Sequence, residues 1–102
     1  MVTQDRSGLV FQAKCPGARE VYLVGDFNNW SLTHTPMEQV EGDLWQTRER
    51  LPSGRYRFRY YAIEDYRYTP DAPWGHRRWL IDPTVQVVDN RVGGRDSVIE
   101  VP

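Results

Sequence analysis

The sequence predicts an all-β domain of the immunoglobulin-like sandwich type, and three observations predict it. Apolar and polar residues alternate with a period of two in several short runs, most clearly over residues 55–63. Turn formers recur between these runs, at Pro16-Gly17, Gly25-Asp26, Glu41-Gly42-Asp43, Pro52-Ser53-Gly54 and Gly93-Gly94. Proline presets φ and glycine accepts positive φ, so such clusters end strands. No ten-residue window carries a helical period, and about seven short strands in roughly 100 residues is the pattern of such a sandwich.

Each element has its own reason. Residues 1–8 are polar and read as a flexible lead-in, so the domain spans 9–102. Over 9–14, Leu9, Phe11 and Ala13 share one strand face, and Val10, Gln12 and Lys14 the other. Residues 21–24 are β-branched and aromatic, as a strand prefers. The polar stretch 26–36 reads as an exposed loop. Residues 37–40 and 44–51 flank the turn at Gly42 as a hairpin. In 55–63, Tyr56, Phe58, Tyr60 and Ala62 point inward, while Arg55, Arg57, Arg59, Tyr61 and Ile63 point outward. Residues 66–68 form a further short strand. Three prolines, a glycine and two tryptophans in 69–83 predict an irregular excursion, and 97–101 closes the domain.

Composition narrows the function. A chain of 102 residues is one domain and is too short for a (β/α)₈ barrel, which needs about 200 or more. Thirteen Lys+Arg against fourteen Asp+Glu leave a net charge of −1, which selects no polyanionic partner. The lone Cys15 excludes an internal disulfide and leads us to expect a reducing, cytoplasmic setting. No apolar run approaches the roughly 20 residues of a membrane span, and no apolar leader precedes the domain. Catalysis finds little support. Glu64 and Asp65 are adjacent and point to opposite faces of an extended chain, and His34 and His76 lack metal-ligand spacing. No nucleophile elbow or phosphate-binding glycine loop occurs. We expect no enzyme activity, no metal and no cofactor.

The aromatic residues offer more: the chain holds four Trp and six Tyr. Trp30 ends the polar stretch Gly25-Asp26-Phe27-Asn28-Asn29-Trp30. It either folds back on the sandwich edge or serves as a stacking platform for a sugar ring. In the second case the axial C–H groups of a pyranose meet the negative π-face, and Asn28 and Asn29 serve its hydroxyls. The outward arginines of 55–61 read first as a solvated face. With Tyr61 they also fit a single-stranded nucleic acid, or a guanidinium bridging sugar hydroxyls. Trp74 and Trp79, with Arg77 and Arg78 between them, read first as an aromatic clasp and second as another ligand or partner surface.

Taken together, these stretches resemble carbohydrate-binding module family 48, the glycogen-binding or isoamylase N-terminal early-set domains. The resemblance runs from about Leu9 to Val101 and is most specific over Val21-Tyr22-Leu23-Val24-Gly25-Asp26-Phe27-Asn28-Asn29-Trp30. Thr35-Pro36-Met37, Trp45, Leu51-Pro52-Ser53-Gly54-Arg55-Tyr56 and Gly93-Gly94-Arg95-Asp96-Ser97-Val98 follow in the family's order. The resemblance implies non-catalytic binding of α-1,4-linked glucans (glycogen, starch, maltooligosaccharides) by a stand-alone member of bacterial type. It also implies partnership with a glycogen- or starch-metabolising enzyme or a kinase, and no nucleic-acid or membrane partner. By the same resemblance, Trp30 is the first stacking aromatic and Arg59 the basic residue, where Lys is usual. Tyr66 stands for the second aromatic, Val92 for an apolar sugar contact, and Asp96 for an Asn whose amide serves hydroxyls. Thr69-Pro70 replaces the usual Asp/Asn-Pro. Thr47 and Glu49 stand where members carry apolar residues, which predicts a register shift or an incomplete sheet edge. The alternative is a structural or protein-interaction early-set domain with a vestigial sugar groove.

Overall fold

The computed structural model describes residues 1–65, 76–90 and 93–102. Nine strands fall among them: β1 (Val2–Asp5), β2 (Gly8–Lys14), β3 (Glu20–Gly25), β4 (Glu38–Glu41), β5 (Leu44–Glu49), β6 (Gly54–Asp65), β7 (His76–Leu80), β8 (Gln86–Asp89) and β9 (Arg95–Val101). A single 3₁₀ turn, Asp26–Asn28, follows β3. One sheet has the order β1-β2-β5-β4 and the other β3-β6-β9-β8, with β7 also paired to β6. All of these pairings are antiparallel. This is the immunoglobulin-like sandwich that the alternation predicts.

The inward faces are those expected. Leu9, Phe11 and Ala13 of β2 meet Val21 and Leu23 of β3 and Phe58, Tyr60 and Ala62 of β6, with Trp45 and Ile99 completing the core. Phe58 takes Phe11 edge-on at 5.2 Å and Tyr60 at 5.6 Å, the quadrupole-favoured geometry. The Tyr60 hydroxyl donates to the fully buried Asp82 (2.7 Å). Burial, and then the Asp82 carboxylate, push its pKa far up, so it stays a donor. Asp82 also accepts from the Thr84 amide (2.9 Å), and its own amide donates to the Ser97 hydroxyl (2.6 Å). These bonds fix the chain two residues after β7.

Several expectations change. The lead-in 1–8 carries β1, because backbone pairing to the edge of β2 needs no apolar alternation. The loop 26–36 is partly structural. The Leu23 amide donates to the Thr35 carbonyl (2.9 Å) and the Met37 amide to the Val21 carbonyl (2.7 Å), so the loop's end seals the edge of β3. The excursion over 69–83 contains β7, whose prolines lie outside the strand and whose amides are free to pair with β6. β8 was not foreseen, since 86–89 carries no clear alternation. The expected strand at 66–68 lies outside the described residues. Glu49 and Thr47 do face inward, opposite Leu9 and Phe11, without a register shift. The edge explains them: β4 pairs β5 only as far as Gln46, so Thr47 and Glu49 lie beyond its cover. Among the described residues no helix is long and apolar enough to cross a membrane.

Candidate functional site

The outward face of β6 carries Arg55, Arg57, Arg59, Tyr61 and Ile63, and its neighbours change along its length. β9 accompanies β6 from Gly54 to Phe58, and β7 accompanies it from Tyr60 onward. Arg59 sits at the fork, paired to β3 on one side, opposite Val24. That gap gives its long side chain room, and it brings one residue from each departing strand beside it.

From β7 comes Trp79. It stands opposite Tyr61, with ring centroids 4.7 Å apart, and its ring lies 4.5 Å from the Arg59 guanidinium carbon. From β9 comes Asp96, whose Oδ1 is 3.1 Å from Arg59 Nε and whose Oδ2 is 3.7 Å from Arg57 Nη1. From the loop after β3 comes Trp30, 5.4 Å from the same guanidinium carbon. Both distances are within the reach of a cation–π contact. The two indole centroids are therefore at most about 10 Å apart, and the guanidinium contacts both.

Local sequence sets Trp30 in place. The 3₁₀ turn ends in two left-handed residues, Asn29 (φ 56°) and Trp30 (φ 57°). A bulky residue there is an outlier held by its surroundings. Asp26 is the clamp: Oδ1 accepts from the Trp30 indole N–H (3.1 Å) and Oδ2 from the Arg57 amide (2.8 Å). Gly25 is needed for close approach, because a Cβ there would lie 2.5 Å from the Arg57 carbonyl oxygen. The ring packs on a second apolar cluster of Val24, Tyr61 and Ile63, with Tyr22 beside it. The fold-back reading of Trp30 thus describes the packed part of the ring, and the residue is half-buried.

Other candidates fare differently. Asn28 turns inward: its amide donates to the Leu23 carbonyl (2.9 Å) and the Thr35 hydroxyl (3.0 Å), and its oxygen accepts from the Gly25 amide (3.1 Å). It braces the loop and is not a free amide for a ligand. Asn29 is exposed. Asp96, which the resemblance implies as a hydroxyl partner, is 4% exposed and directed at two arginines, because a carboxylate buried there requires cations. Trp79 is 43% exposed and belongs to the cluster. Tyr66, Trp74 and Val92 lie outside the described residues. The sequence reading missed Asp26, whose signal was only an acidic residue at a turn, and the hydroxyl of Tyr61, which accepts from Arg77 (2.8 Å). The outward face is thus less solvated than alternation implied, since Tyr61 and Ile63 are buried.

Among the described residues, the arrangement groups two indoles around a guanidinium on a sheet face, with Trp79 exposed and Trp30 half-buried. A cavity of about 490 Å³ lies elsewhere, lined by Ala13, Leu44, Tyr60, Leu80 and Pro83 on the other side of the β6–β7 pair. Ring surface beside a hydrogen-bond donor suits a ligand with C–H faces and hydroxyl rims.

The family model for carbohydrate-binding module 48 (isoamylase N-terminal domain) matches residues 1–84. The chain belongs to carbohydrate-binding module family 48. A 1,4-alpha-glucan branching enzyme GlgB of Synechococcus sp. (strain WH7803) is 31% identical over 88 residues, covering 84% of this chain and 12% of that protein. The 5'-AMP-activated protein kinase subunit beta-1 of Sus scrofa is 31% identical over 85 residues, 83% of this chain and 57% of the subunit. A 1,4-alpha-glucan-branching enzyme of Dictyostelium discoideum is 46% identical over 44 residues, 43% of this chain and 6% of that enzyme. The chain spans about half or less of the length of these relatives. As a family 48 module it is a carbohydrate-binding domain, and among the described residues the fork of β6 brings Trp30, Tyr61 and the exposed Trp79 together.

Proposed function

We propose that this module binds α-1,4-linked glucans such as glycogen, starch and maltooligosaccharides without catalysing a reaction. The observation that carries the reading is the Arg59 guanidinium in contact with both the half-buried Trp30 and the exposed Trp79. The two rings stack on sugar faces, and Arg59 donates to hydroxyl oxygens. Trp79 takes the role of second platform, while Tyr66 and Val92 remain further proposed contacts. Membership of the family and relatives named as glucan branching enzymes support the substrate class. A glucan-metabolising enzyme or a kinase is the proposed partner, and the cytoplasm the proposed setting.

The arginine row does not favour nucleic acid. Arg55 faces Glu100 at 3.8 Å, and Arg57 and Arg59 share Asp96, so little free positive charge is left to displace counterions. One observation favours the scaffold alternative: Arg59 lies over both indoles, so a sugar reaches only the ring surface that the guanidinium leaves uncovered. Titration with maltoheptaose at low and high salt, followed by Trp fluorescence, separates these. Glucan binding gives a Kd of roughly 10 μM to 1 mM, little changed by salt. A fall of about 0.7 log units per neutralised phosphate per tenfold salt on single-stranded DNA marks nucleic-acid binding. Absence of any glucan binding leaves the scaffold reading.

A further inference from the structure

We propose that Asp96 is a positioning residue, which fixes the Arg59 guanidinium beside the two indoles, where it meets the hydroxyls of a bound glucan. The inference rests on the glucan reading above. Arg59 sits at the fork of the sheet, where β9 has left β6 and β7 has not yet joined it. A long side chain in such a gap has freedom to swing, and its rotamer entropy opposes any one orientation. The Asp96 carboxylate removes that freedom. It is 4% exposed, lies 3.1 Å from Arg59 Nε and 3.7 Å from Arg57 Nη1, and needs both cations as compensation for its burial.

The carboxylate is itself fixed. Asn90 donates to Asp96 Oδ1 (3.4 Å), and Asn90 is tied into a turn by the Gly94 amide donating to its side-chain oxygen (2.9 Å) and by its own amide donating to the Gly94 carbonyl (2.9 Å). Asp96 Oδ1 lies at ion-pair distance from Arg59 Nε with no hydrogen bond between the two, so the hold is electrostatic. Because Arg57 shares the same carboxylate, Asp96 offsets only part of the charge of the pair. Asp96 is too buried to serve a sugar itself, so its influence passes through Arg59.

The test is a double-mutant cycle read by maltoheptaose titration, with far-UV circular dichroism melting on every variant. Asp96→Leu keeps the approximate shape, removes the charge and installs no amide that could serve a hydroxyl. With Arg59 present it is expected to weaken binding about five- to tenfold, and in the Arg59→Ala background less than about twofold. Equal losses in the two backgrounds make Asp96 a direct contact or a purely structural residue and overturn the proposal, as does unchanged binding. If Asp96→Leu is unfolded, Asp96→Glu is read instead: it keeps the charge but displaces the carboxylate by one methylene. The proposal requires it to weaken binding in the Arg59 background alone. Failure of the wild type to bind any glucan overturns the glucan reading itself, an outcome distinct from additive losses.

Discussion

Replacing Trp79 by alanine separates a ligand platform from an aromatic clasp, because the structure gives both roles a magnitude. Trp79 is 43% exposed, so a little over half of its side chain is covered, mainly by Tyr61 and Arg59. If a tryptophan buries up to about 250 Å², the covered part is on the order of 140 Å², or about 3.5 kcal/mol at 25 cal/mol per Å². Alanine retains a share of this, and a compact unfolded chain lowers it further, so the expected loss is about 2 kcal/mol. That leaves the sandwich folded, since the Tyr60–Asp82 and Ser97–Asp82 bonds that anchor the end of β7 are untouched. The ligand side is computed separately. Loss of one stacking ring removes about 1 to 1.5 kcal/mol beyond burial, which raises Kd about five- to fifteenfold. Isothermal calorimetry with maltoheptaose, paired with thermal melting, reads both numbers on one sample. A folded Trp79→Ala protein that binds as tightly as the wild type would refute the platform role and leave Trp79 as a clasp. A weakened affinity with an unchanged melting temperature would refute the packing estimate instead.

Other expectations follow from the same geometry. Trp30→Ala removes the indole bond to Asp26 and the contact with the Val24, Tyr61 and Ile63 cluster, so it costs about 1 to 2 kcal/mol in denaturant unfolding and abolishes retention on amylose. Gly25→Ala drives a Cβ to within 2.5 Å of the Arg57 carbonyl oxygen, and the forced backbone shift costs about 1 to 3 kcal/mol, seen as a lower melting temperature. Glu49 has its pKa raised by burial, with His34 opposing, so its charged form is penalised in the fold. Glu49→Leu is therefore expected to stabilise by about 1 kcal/mol at pH 7. The electrostatic part of that gain vanishes once the pH falls below the ordinary glutamate value, where Glu49 is neutral both folded and unfolded. Urea unfolding at pH 7 and pH 3.5 checks the sign, and a gain that grows on acidification contradicts it.

For the proposed glucan recognition, the branching of the sheet at Arg59 matters more than any one ring. An unbroken ladder of β9 along β6 would place a strand beside Arg59, and Trp79 would have no route to the same face. The fork admits both β7 and β9, and the charge of the arginine is met by the strand that supplies no ring. Its openness also accounts for the modest affinity expected. Two exposed rings and a few hydroxyl contacts must offset the ordering of a flexible chain.

The sequence by itself determined the sandwich and most of its core. Alternation over 9–14 and 55–63 assigns Phe11, Phe58, Tyr60 and Ala62 to the interior, because a period of two admits one arrangement when one face is buried. It also placed Arg59 on the outward face through the parity of β6, and Trp30 at the end of a polar loop, the two residues of the proposed site. Tertiary structure alone decided the partners. Trp79 lies 20 residues from Arg59 in the chain, behind prolines that read as irregular, and it meets Arg59 through β7 pairing with a bulge between Ile63 and Asp65. Asp96 acts on Arg59 through burial, and burial depends on what packs around a side chain, not on its spacing. Alternation shows which way a residue points on its own strand. Which neighbour it meets is set by strand order and register, and those are fixed only when the whole chain has closed on its core.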